Sequence, residues 1–217
     1  MKAAVYRAFG AAADVLKVED IERPEPGEGE VRVRIAFSAP NPSDVKARAG
    51  TRPGVVKPAF PTIIPHSDGS GVIDAVGEGV DAGRIGQRVW ISEGEGTRDF
   101  GTCAEYISIP GAQAVVMPDA VTLEQGAVLG IPGLTAAQVV FGGGDIAGET
   151  VLISGGGGTV GYLAVQLAKW AGARVIATGS PRDFDRISGA GADVVVDYSS
   201  DTLAADVIAA NNGAMID

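Results

Sequence analysis

The most informative part of this sequence is Gly155-Gly156-Gly157-Gly158-Thr159-Val160-Gly161. Before it, the apolar residues 151–154 predict a buried parallel strand. After it, residues 162–171 carry apolar side chains at a spacing of three to four, which predicts a helix that packs on a sheet. Gly172 is expected to end that helix, and residues 174–178 predict a second strand. This order is typical of a dinucleotide-binding fold.

The spacing of Gly155, Gly158 and Gly161 is G-x-x-G-x-x-G, a variant of the dinucleotide fingerprint. A helix that begins directly after a strand presents unpaired N–H groups and the positive end of its dipole to an anion. Missing side chains let a pyrophosphate come close to the backbone. A glycine run alone also occurs in flexible turns, so the prediction depends on the flanking strand and helix. The residues expected to bind the pyrophosphate are Gly155, Gly156, Gly158, Thr159, Val160 and Gly161.

The end of the second strand bears on the choice between NADPH and NADH. It reads Thr178-Gly179-Ser180-Pro181-Arg182 and carries no acid at its tip, where NAD-binding sites usually place one. Ser180 and Arg182 suit a 2′-phosphate, because a guanidinium binds phosphate in a fork geometry, and this favours NADPH. Asp183 and Asp185 follow closely and leave NADH open. Alternatively, Arg182 and Arg186 are solvated helix residues.

Composition indicates a folded protein and excludes some partners. The 217 residues are 46% hydrophobic, and 17 basic against 27 acidic side chains give a net charge of −10, which argues against nucleic acid as a partner. No apolar run reaches membrane-spanning length and no signal-peptide pattern is seen, so we expect a cytoplasmic protein without a membrane partner. The single cysteine, Cys103, excludes an internal disulfide and a multi-cysteine zinc site.

Residues 1 to about 118 predict short strands separated by Gly and Pro, which is typical of a small barrel-like domain. A short helix is predicted over 43–49, with Ser43 as its N-cap. Residues 30–37 alternate polar and apolar side chains and predict a strand with one solvated face. The predicted strands cover residues 2–6, 15–21, 30–37, 71–77, 88–92, 104–109 and 114–117.

The pattern changes near Pro118. Two helices are predicted, over 123–129 and 134–141, with a break at Gly130-Ile131-Pro132-Gly133 between them. After the glycine-rich unit come a third strand (193–197), a helix (202–210) and the start of a fourth strand (214–217). We therefore predict a β-rich domain over 1–121 and the first half of a dinucleotide-binding domain over 122–217. We expect a truncated chain or part of a longer one, because a full fold of this type has about six strands.

Several further motifs accompany the glycine run, and together they are far more specific than it is. They are Asn41-Pro42-Ser43-Asp44 followed by Arg48 and Gly50, Pro65 with Asp68-Gly69-Ser70-Gly71, Gly101-Thr102-Cys103-Ala104-Glu105-Tyr106, and Pro132-Gly133-Leu134-Thr135-Ala136. With them, essentially the whole chain resembles the zinc-independent quinone oxidoreductases, the zeta-crystallin-like NADPH:quinone reductases of the medium-chain dehydrogenase/reductase superfamily. The resemblance implies an α/β protein with a GroES-like barrel domain, a Rossmann domain and a nicotinamide bound in the cleft between them. It also implies a homodimer if the full-length chain is present.

The zinc-dependent relatives in that superfamily differ at the positions of their metal ligands. They have a Cys where Asn41 stands and a Gly-His-Glu triplet at His66-Ser67-Asp68, so that their ligand histidine matches Ser67. His66 is therefore interpreted as a turn or cleft residue rather than a metal ligand. A zinc site needs three or four convergent ligands, and we expect none here.

The resemblance implies that Asn41 and Thr135 line the nicotinamide pocket, Asn41 near the ribose or the substrate oxygen and Thr135 near the carboxamide. Alternatively, Asn41 starts an ordinary turn and Thr135 caps the following helix. Lys46 stands where many quinone reductases have a tyrosine, and it could bind a carbonyl oxygen or simply be solvated. Two other departures are His66 in place of a usual Gly and Gln87 in place of a usual Asp. No general acid is assigned.

The expected function is NADPH-dependent hydride transfer to a quinone or to the β-carbon of an α,β-unsaturated carbonyl, without zinc. Two alternatives stay open. One is an enoyl-thioester reductase of the same superfamily. The other is an NADPH-binding sensor or structural protein without significant catalysis.

Overall fold

A computed structural model describes residues 1–51, 53–92, 94 and 98–216 of the chain. The described chain divides into two compact units, Met1–Ile131 and Pro132–Asp217. Among the described residues, no helix has both the length and the apolar character needed to cross a lipid bilayer. The assignment of a GroES-like domain to 1–121 and a dinucleotide-binding domain to 122–217 stays a prediction.

The described part of the chain contains ten strands and seven α-helices, numbered in chain order. The strands are β1 (Lys2–Val5), β2 (Lys17–Asp20), β3 (Glu30–Ala39), β4 (Asp68–Val76), β5 (Arg88–Ile91), β6 (Tyr106–Pro110), β7 (Ala114–Val116), β8 (Thr150–Ile153), β9 (Arg174–Gly179) and β10 (Val194–Asp197). The helices are α1 (Ala12–Val15), α2 (Pro42–Ala49), α3 (Leu123–Gly126), α4 (Ile131–Phe141), α5 (Thr159–Trp170), α6 (Phe184–Gly189) and α7 (Leu203–Ala210).

The first unit is built on a five-stranded antiparallel sheet in the order β6-β3-β4-β5-β7. The pairing of β3 with β4 shifts register twice, and such bulges bend a strand and increase its twist. A separate pair, β1 and β2, is tied to later residues by bridges such as Ala3 with Ala104. The buried core of this sheet consists of Val31, Val33, Ile73, Val89, Ile91, Ile107, Ile109 and Ala114.

The prediction that the strand over 30–37 has one solvated face is wrong at Arg32, because this side chain is buried. The Arg32 guanidinium pairs with Asp74 in a fork (2.9 and 3.2 Å) and lies 5.7 Å above the Tyr106 ring. A guanidinium group that is paired with a carboxylate tolerates burial. The alternation of polar and apolar residues along a strand therefore does not reveal that an arginine is buried.

The second unit contains a parallel sheet in the order β10-β9-β8. This is the order expected for the first half of a dinucleotide-binding fold, with each new strand added beside the last. The predicted end of α5 at Gly172 is confirmed. Gly172 has φ +88°. Its N–H donates to the Lys169 carbonyl oxygen, and the N–H of Ala173 donates to the Ala168 carbonyl oxygen, as in a Schellman motif.

Some predicted boundaries are wrong. The strand predicted over 15–21 is shorter, because α1 precedes β2. Asn41, not Ser43, is the N-cap of α2, and Pro42 takes the first helical position, which suits a residue without an N–H. Helix α3 ends at Gly126, before the predicted end.

Two further corrections concern helix and strand ends in the second unit. The predicted break before residue 134 is absent, because Ile131 begins α4 and Pro132 falls in its first turn. The described residues 214–216 form no strand, and Asp217 lies outside the described residues. Asn212 and Gly213 turn the chain with positive φ, and the Asn211 amide donates to two carbonyl oxygens within 214–216.

Candidate functional site

The glycine-rich turn joins β8 to α5 and is held by the neighbouring strand β9. Gly155 has φ +71°, a conformation that favours glycine. Its N–H donates to Thr178 Oγ1 (3.1 Å), and the N–H of Gly156 donates to the Thr178 carbonyl oxygen (2.8 Å). Thr178 is buried, and sequence reasoning missed its part in shaping the turn.

The glycines of this turn serve different ends. A Cβ on Gly161 would lie 2.2 Å from the Gly155 carbonyl oxygen, so close packing of α5 on the turn requires glycine there. A Cβ on Gly156 would meet Ala177 and Ile187 at 3.2 Å. A Cβ on Gly158 would meet only the Gly155 oxygen, at 3.4 Å, and Gly158 has an ordinary φ of −79°. Neither packing nor backbone conformation demands glycine at 158, so its bare surface fits a ligand that approaches the backbone.

The first turn of α5 adds backbone N–H groups next to the glycine-rich turn. Gly158 is the N-cap, and no side chain caps the helix. The first N–H groups of a helix have no intrahelical partner, and at this end they carry the positive pole of the dipole. Thr159 and Val160 are exposed and Gly161 is half-buried. The geometry fits a pyrophosphate at residues 155–161.

At the end of β9, two arginines behave differently. The Arg182 side chain is 85% exposed and lies 3.6 Å from the Asp183 carboxylate. Arg186 instead contacts the glycine-rich turn, where its guanidinium donates to the Gly157 carbonyl oxygen (2.7 Å) and stacks 4.3 Å from the Tyr162 ring centre. Ser180 is half-buried next to them. Arg182 is therefore free to reach a ligand, while Arg186 supports the turn.

In the first unit, Asn41 is buried at the start of α2. Its side-chain Nδ2 donates to Asp68 Oδ2 (2.8 Å), and its backbone N–H donates to Asp44 Oδ2 (2.6 Å). Asp44 is buried as well. One donor of the Asn41 amide is thus used within the protein, and the group is fixed in orientation.

Asp68 organises this cluster, although sequence reasoning did not single it out. It is fully buried, and its carboxylate accepts from the Asn41 amide and from the N–H of Ile131 (2.9 and 3.0 Å). Burial raises the pKa of Asp68, and the bond from Asn41 opposes that shift. The signal in the sequence was its match to the Glu of the zinc-dependent triplet, which indicates a buried carboxylate without identifying its partners.

The remaining candidates lie apart from these bonds. Lys46 is exposed on α2, in the first unit. Thr135 is exposed on α4, in the second unit, and because α4 begins at Ile131, the alternative that Thr135 caps this helix is wrong. Ser43 Oγ is buried and has no hydrogen-bond partner among the described residues.

His66 adopts φ +79°, which is uncommon for a residue with a side chain. Its Nδ1 lies 2.9 Å from Ser38 Oγ, which in turn lies 2.9 Å from Thr102 Oγ1. Burial lowers the pKa of His66, while the Asp44 carboxylate acts in the opposite direction. Within the described ranges, no three His, Cys, Asp or Glu side chains converge as metal ligands.

Known proteins resemble the chain over both units. Residues 27–119 match the alcohol dehydrogenase GroES-like domain family. The chain is 34% identical over 210 residues to the NADPH-dependent alkenal/one oxidoreductase of Arabidopsis thaliana chloroplasts, covering 94% of this chain and 54% of that protein. It is 34% identical over 182 residues to the quinone oxidoreductase of Rattus norvegicus, covering 82% of this chain and 52% of that protein.

Among solved structures, an NAD-dependent alcohol dehydrogenase aligns with a TM-score of 0.89 and 35% identity, over 100% of this chain and 69% of that one. The chain therefore belongs to the medium-chain dehydrogenase/reductase superfamily, which includes both alcohol dehydrogenases and quinone oxidoreductases. The resemblance to the quinone oxidoreductases is confirmed, as is the pairing of a GroES-like domain with part of a Rossmann fold. The chain spans about half the length of the two curated relatives described above.

Proposed function

We propose that this protein is an NADPH-dependent oxidoreductase that transfers hydride to a quinone or to an α,β-unsaturated carbonyl without zinc. The observation that carries the proposal is the bare backbone at Gly158, beside the uncapped start of α5. Relatives that are named as alkenal/one and quinone oxidoreductases support the reaction class.

The cofactor would be held mainly by backbone groups of the second unit. Its pyrophosphate would lie on Gly155, Gly156, Gly158, Thr159, Val160 and Gly161, and its 2′-phosphate would bind Ser180 and Arg182. When bound, NADPH supplies the hydride. The relatives are named for different cofactors, NADPH in one case and NAD in another, so the choice for this chain depends on its own residues at the end of β9. There, the exposed guanidinium of Arg182 supports NADPH.

The nicotinamide and the acceptor would be bound by Asn41, Lys46 and Thr135. The fixed amide of Asn41 would supply an oriented polar group, since Asp68 already occupies one of its donors. Ser67 and Asn41 at the positions of zinc ligands support a reaction without zinc. This proposal includes the domain limits 1–121 and 122–217, a cytoplasmic location and, in a full-length chain, a homodimer.

The proposal is tested first by binding. The fluorescence of NADPH, and in parallel that of NADH, is followed as the protein is added. Cofactor fluorescence is preferred to tryptophan fluorescence, because Trp170 ends α5 about 16 Å from the first residue of that helix and is far from the predicted phosphate site. We expect NADPH to bind at least about tenfold more tightly than NADH. The variant Gly158→Ala should fold as the wild type does and lose NADPH binding, because its methyl group would occupy the place of the phosphate.

Turnover is then measured with NADPH and three acceptors: a quinone, an enone and an acyl-thioester. Turnover of the quinone or enone supports the proposal. Turnover of the thioester alone indicates an enoyl-thioester reductase. Binding without turnover of any acceptor indicates a non-catalytic NADPH-binding protein, and absence of NADPH binding overturns the proposal as a whole.

A further inference from the structure

His66 stands where the resembling family usually has glycine, and the structure shows why glycine is usual there. The residue has φ +79°, a left-handed conformation that a side chain with a Cβ adopts only at an energetic cost. Strain of this kind persists where surrounding contacts enforce it, and it is found mainly at functional sites. His66 is also the only histidine of the chain.

A chain of hydrogen bonds fixes the tautomer of His66. Thr102 Oγ1 lies 2.6 Å from the Asp68 carbonyl oxygen, which only accepts, so the threonine hydroxyl donates its proton there. Ser38 must then donate its proton to Thr102, and it can only accept from His66. His66 thus carries its proton on Nδ1. Its Nε2 has no partner among the described residues.

His66 lines a cavity of about 150 Å³ in the first unit. The other lining residues are Ala12, Leu16, Asp44, Val45, Arg48 and Pro65. The walls are mainly apolar, with the polar groups supplied by His66, Asp44 and Arg48. An engineered cavity of this size in another protein holds benzene, so one six-membered ring fits here. A mainly apolar pocket with a few polar groups is what a small carbonyl compound requires.

Burial and a nearby carboxylate act in opposite directions on the protonation of His66. Asp44 is buried and its charge favours the protonated imidazole, while burial opposes it and lowers the pKa of His66. Arg48 adds a positive charge from the same helix, but its guanidinium is bonded to the Gly10 carbonyl oxygen. An imidazolium with a lowered pKa is a stronger acid than a free one and transfers its proton more readily.

We propose that the cavity binds a small cyclic or short-chain α,β-unsaturated carbonyl and that His66 Nε2 is the proton donor of the reaction. This inference rests on the proposed function. Bound NADPH would supply the hydride and be left as NADP⁺; the two electrons of the hydride would form the C–H bond at the β-carbon, and the C=C electron pair would move to give the enolate. His66, which has taken a second proton from solvent on Nε2, then gives that proton to the α-carbon of the enolate, so that the Nε2–H bond breaks and the α-C–H bond forms. The neutral imidazole, still bonded to Ser38 through Nδ1, regains a proton from solvent.

The first test does not depend on turnover. In ¹⁵N-labelled protein the single histidine gives one pair of ring nitrogen signals, and we expect the Nδ1–H tautomer. At a pH below the folded pKa, where Nε2 is also protonated, cyclohexanone, an unreactive ketone of the size of the cavity, should accept a hydrogen bond from Nε2–H and shift its signal in a saturable manner. The variant Val45→Phe should abolish the shift, because residue 45 is 50% exposed at the cavity and can be enlarged without disturbing the core. Val18→Phe, at a position that is 72% exposed and outside the cavity, is the matched control and should leave the shift unchanged.

The second test uses variants that keep the left-handed backbone. His66→Gly and His66→Asn both suit a positive φ, so their thermal midpoints should stay within about 5 °C of the wild type. With NADPH and cyclohex-2-enone we expect kcat to fall by about 100-fold in both, with NADPH affinity unchanged. Added imidazole should restore part of the activity of His66→Gly, whose enlarged cavity admits the missing ring, and should restore none in His66→Asn.

The outcomes separate this inference from the proposed function. A wild-type protein that reduces cyclohex-2-enone while His66→Gly keeps full kcat overturns proton donation and leaves the proposed function standing. An Nε2–H tautomer, or the absence of a shift with cyclohexanone, overturns the cavity assignment even in an active enzyme. A wild type that shows the shift but reduces no acceptor contradicts the proposed function and with it the proton transfer.

Discussion

The glycine-rich turn at 155–161 and the cluster around Asp68 are built on opposite principles. The turn works by leaving side chains out, so that Gly158 is open to a ligand beside the first N–H groups of α5, which lack an intrahelical partner. The Asp68 cluster works by burying side chains, so that a carboxylate without solvent contact fixes the Asn41 amide and the start of α4. The first is suited to bind an anion of fixed shape, and the second to hold a polar group in one orientation.

The two regions also differ in how their parts are distributed along the chain. All residues of the turn lie within seven positions, whereas the partners of Asp68 are 27 and 63 positions away. The turn should therefore fail locally when it is altered, through one backbone clash. The cluster should fail through several segments of the first unit at once, because one carboxylate on β4 bonds both Asn41, the N-cap of α2, and Ile131.

The largest effect is expected for Gly161→Ala. The added methyl carbon would lie 2.2 Å from the Gly155 carbonyl oxygen, a backbone atom that cannot move aside. We expect a loss of about 3 kcal/mol in the free energy of unfolding, measured by urea denaturation.

Gly158→Ala is the matched change for that test, since its methyl carbon meets nothing closer than 3.4 Å. It should alter stability by less than about 1 kcal/mol. Equal losses in the two variants would contradict the division between a packing glycine and a ligand-facing glycine, and with it the proposed phosphate site.

A smaller loss in the free energy of unfolding is expected for Asp68→Ala. Removal of the carboxylate also removes the free-energy cost of burying it. The Asn41 amide and the Ile131 N–H would both lose their acceptor inside the protein, which should lower the free energy of unfolding by about 2 kcal/mol. Asp20→Ala is the control, since Asp20 pairs with Lys2 on the surface and should contribute less than about 0.5 kcal/mol. If the two losses are equal, the cluster is not the organising centre described here.

The turn and the cluster show what a sequence reveals. Residues 155–161 could be predicted because strand, glycines and helix are neighbours in the chain, and each has a local signature. The bonds of Asp68, Thr102 and Ser38 could not, because nothing local states which distant groups meet in three dimensions. Arg32 was misjudged for the same reason, since its burial depends on Asp74, which lies 42 positions away.

Two helix starts were predicted too late in the chain, in both cases after a proline that lies in the first turn. Both Pro42 and Pro132 lie in the first turn of a helix. A proline in that place loses no hydrogen bond, because the first N–H groups of a helix have no intrahelical acceptor. A proline can therefore indicate either a break in a helix or the start of one, and the surrounding structure decides which of the two occurs.

The variant Arg182→Ala, just after the end of β9, extends the comparison from the bare backbone of the turn to an exposed side chain. The exposed guanidinium makes a weak contact with Asp183 and bonds no backbone group of the described residues, so the free energy of unfolding should stay the same. NADPH should bind about tenfold more weakly, while NADH, which lacks the 2′-phosphate, should bind as before. Both affinities are measured by titration of cofactor fluorescence, and an equal loss for both cofactors would remove Arg182 from the phosphate site.

The smallest effect is expected in the dependence of stability on pH at His66. Burial lowers the pKa of His66 below its unfolded value of 6.5, so under mildly acidic conditions the unfolded chain binds a proton that the folded chain does not. Stability from this group is fully present above pH 6.5 and is lost as the pH falls through the folded pKa. Asp68, whose pKa burial raises, acts in the opposite sense, but it is present in wild type and variant alike. The unfolding free energy of the wild type, measured relative to that of His66→Asn from pH 8 to pH 5, should therefore fall on acidification. A difference that stays constant would mean that His66 titrates equally in both states, and that the hydrogen-bond chain through Ser38 leaves its protonation unchanged.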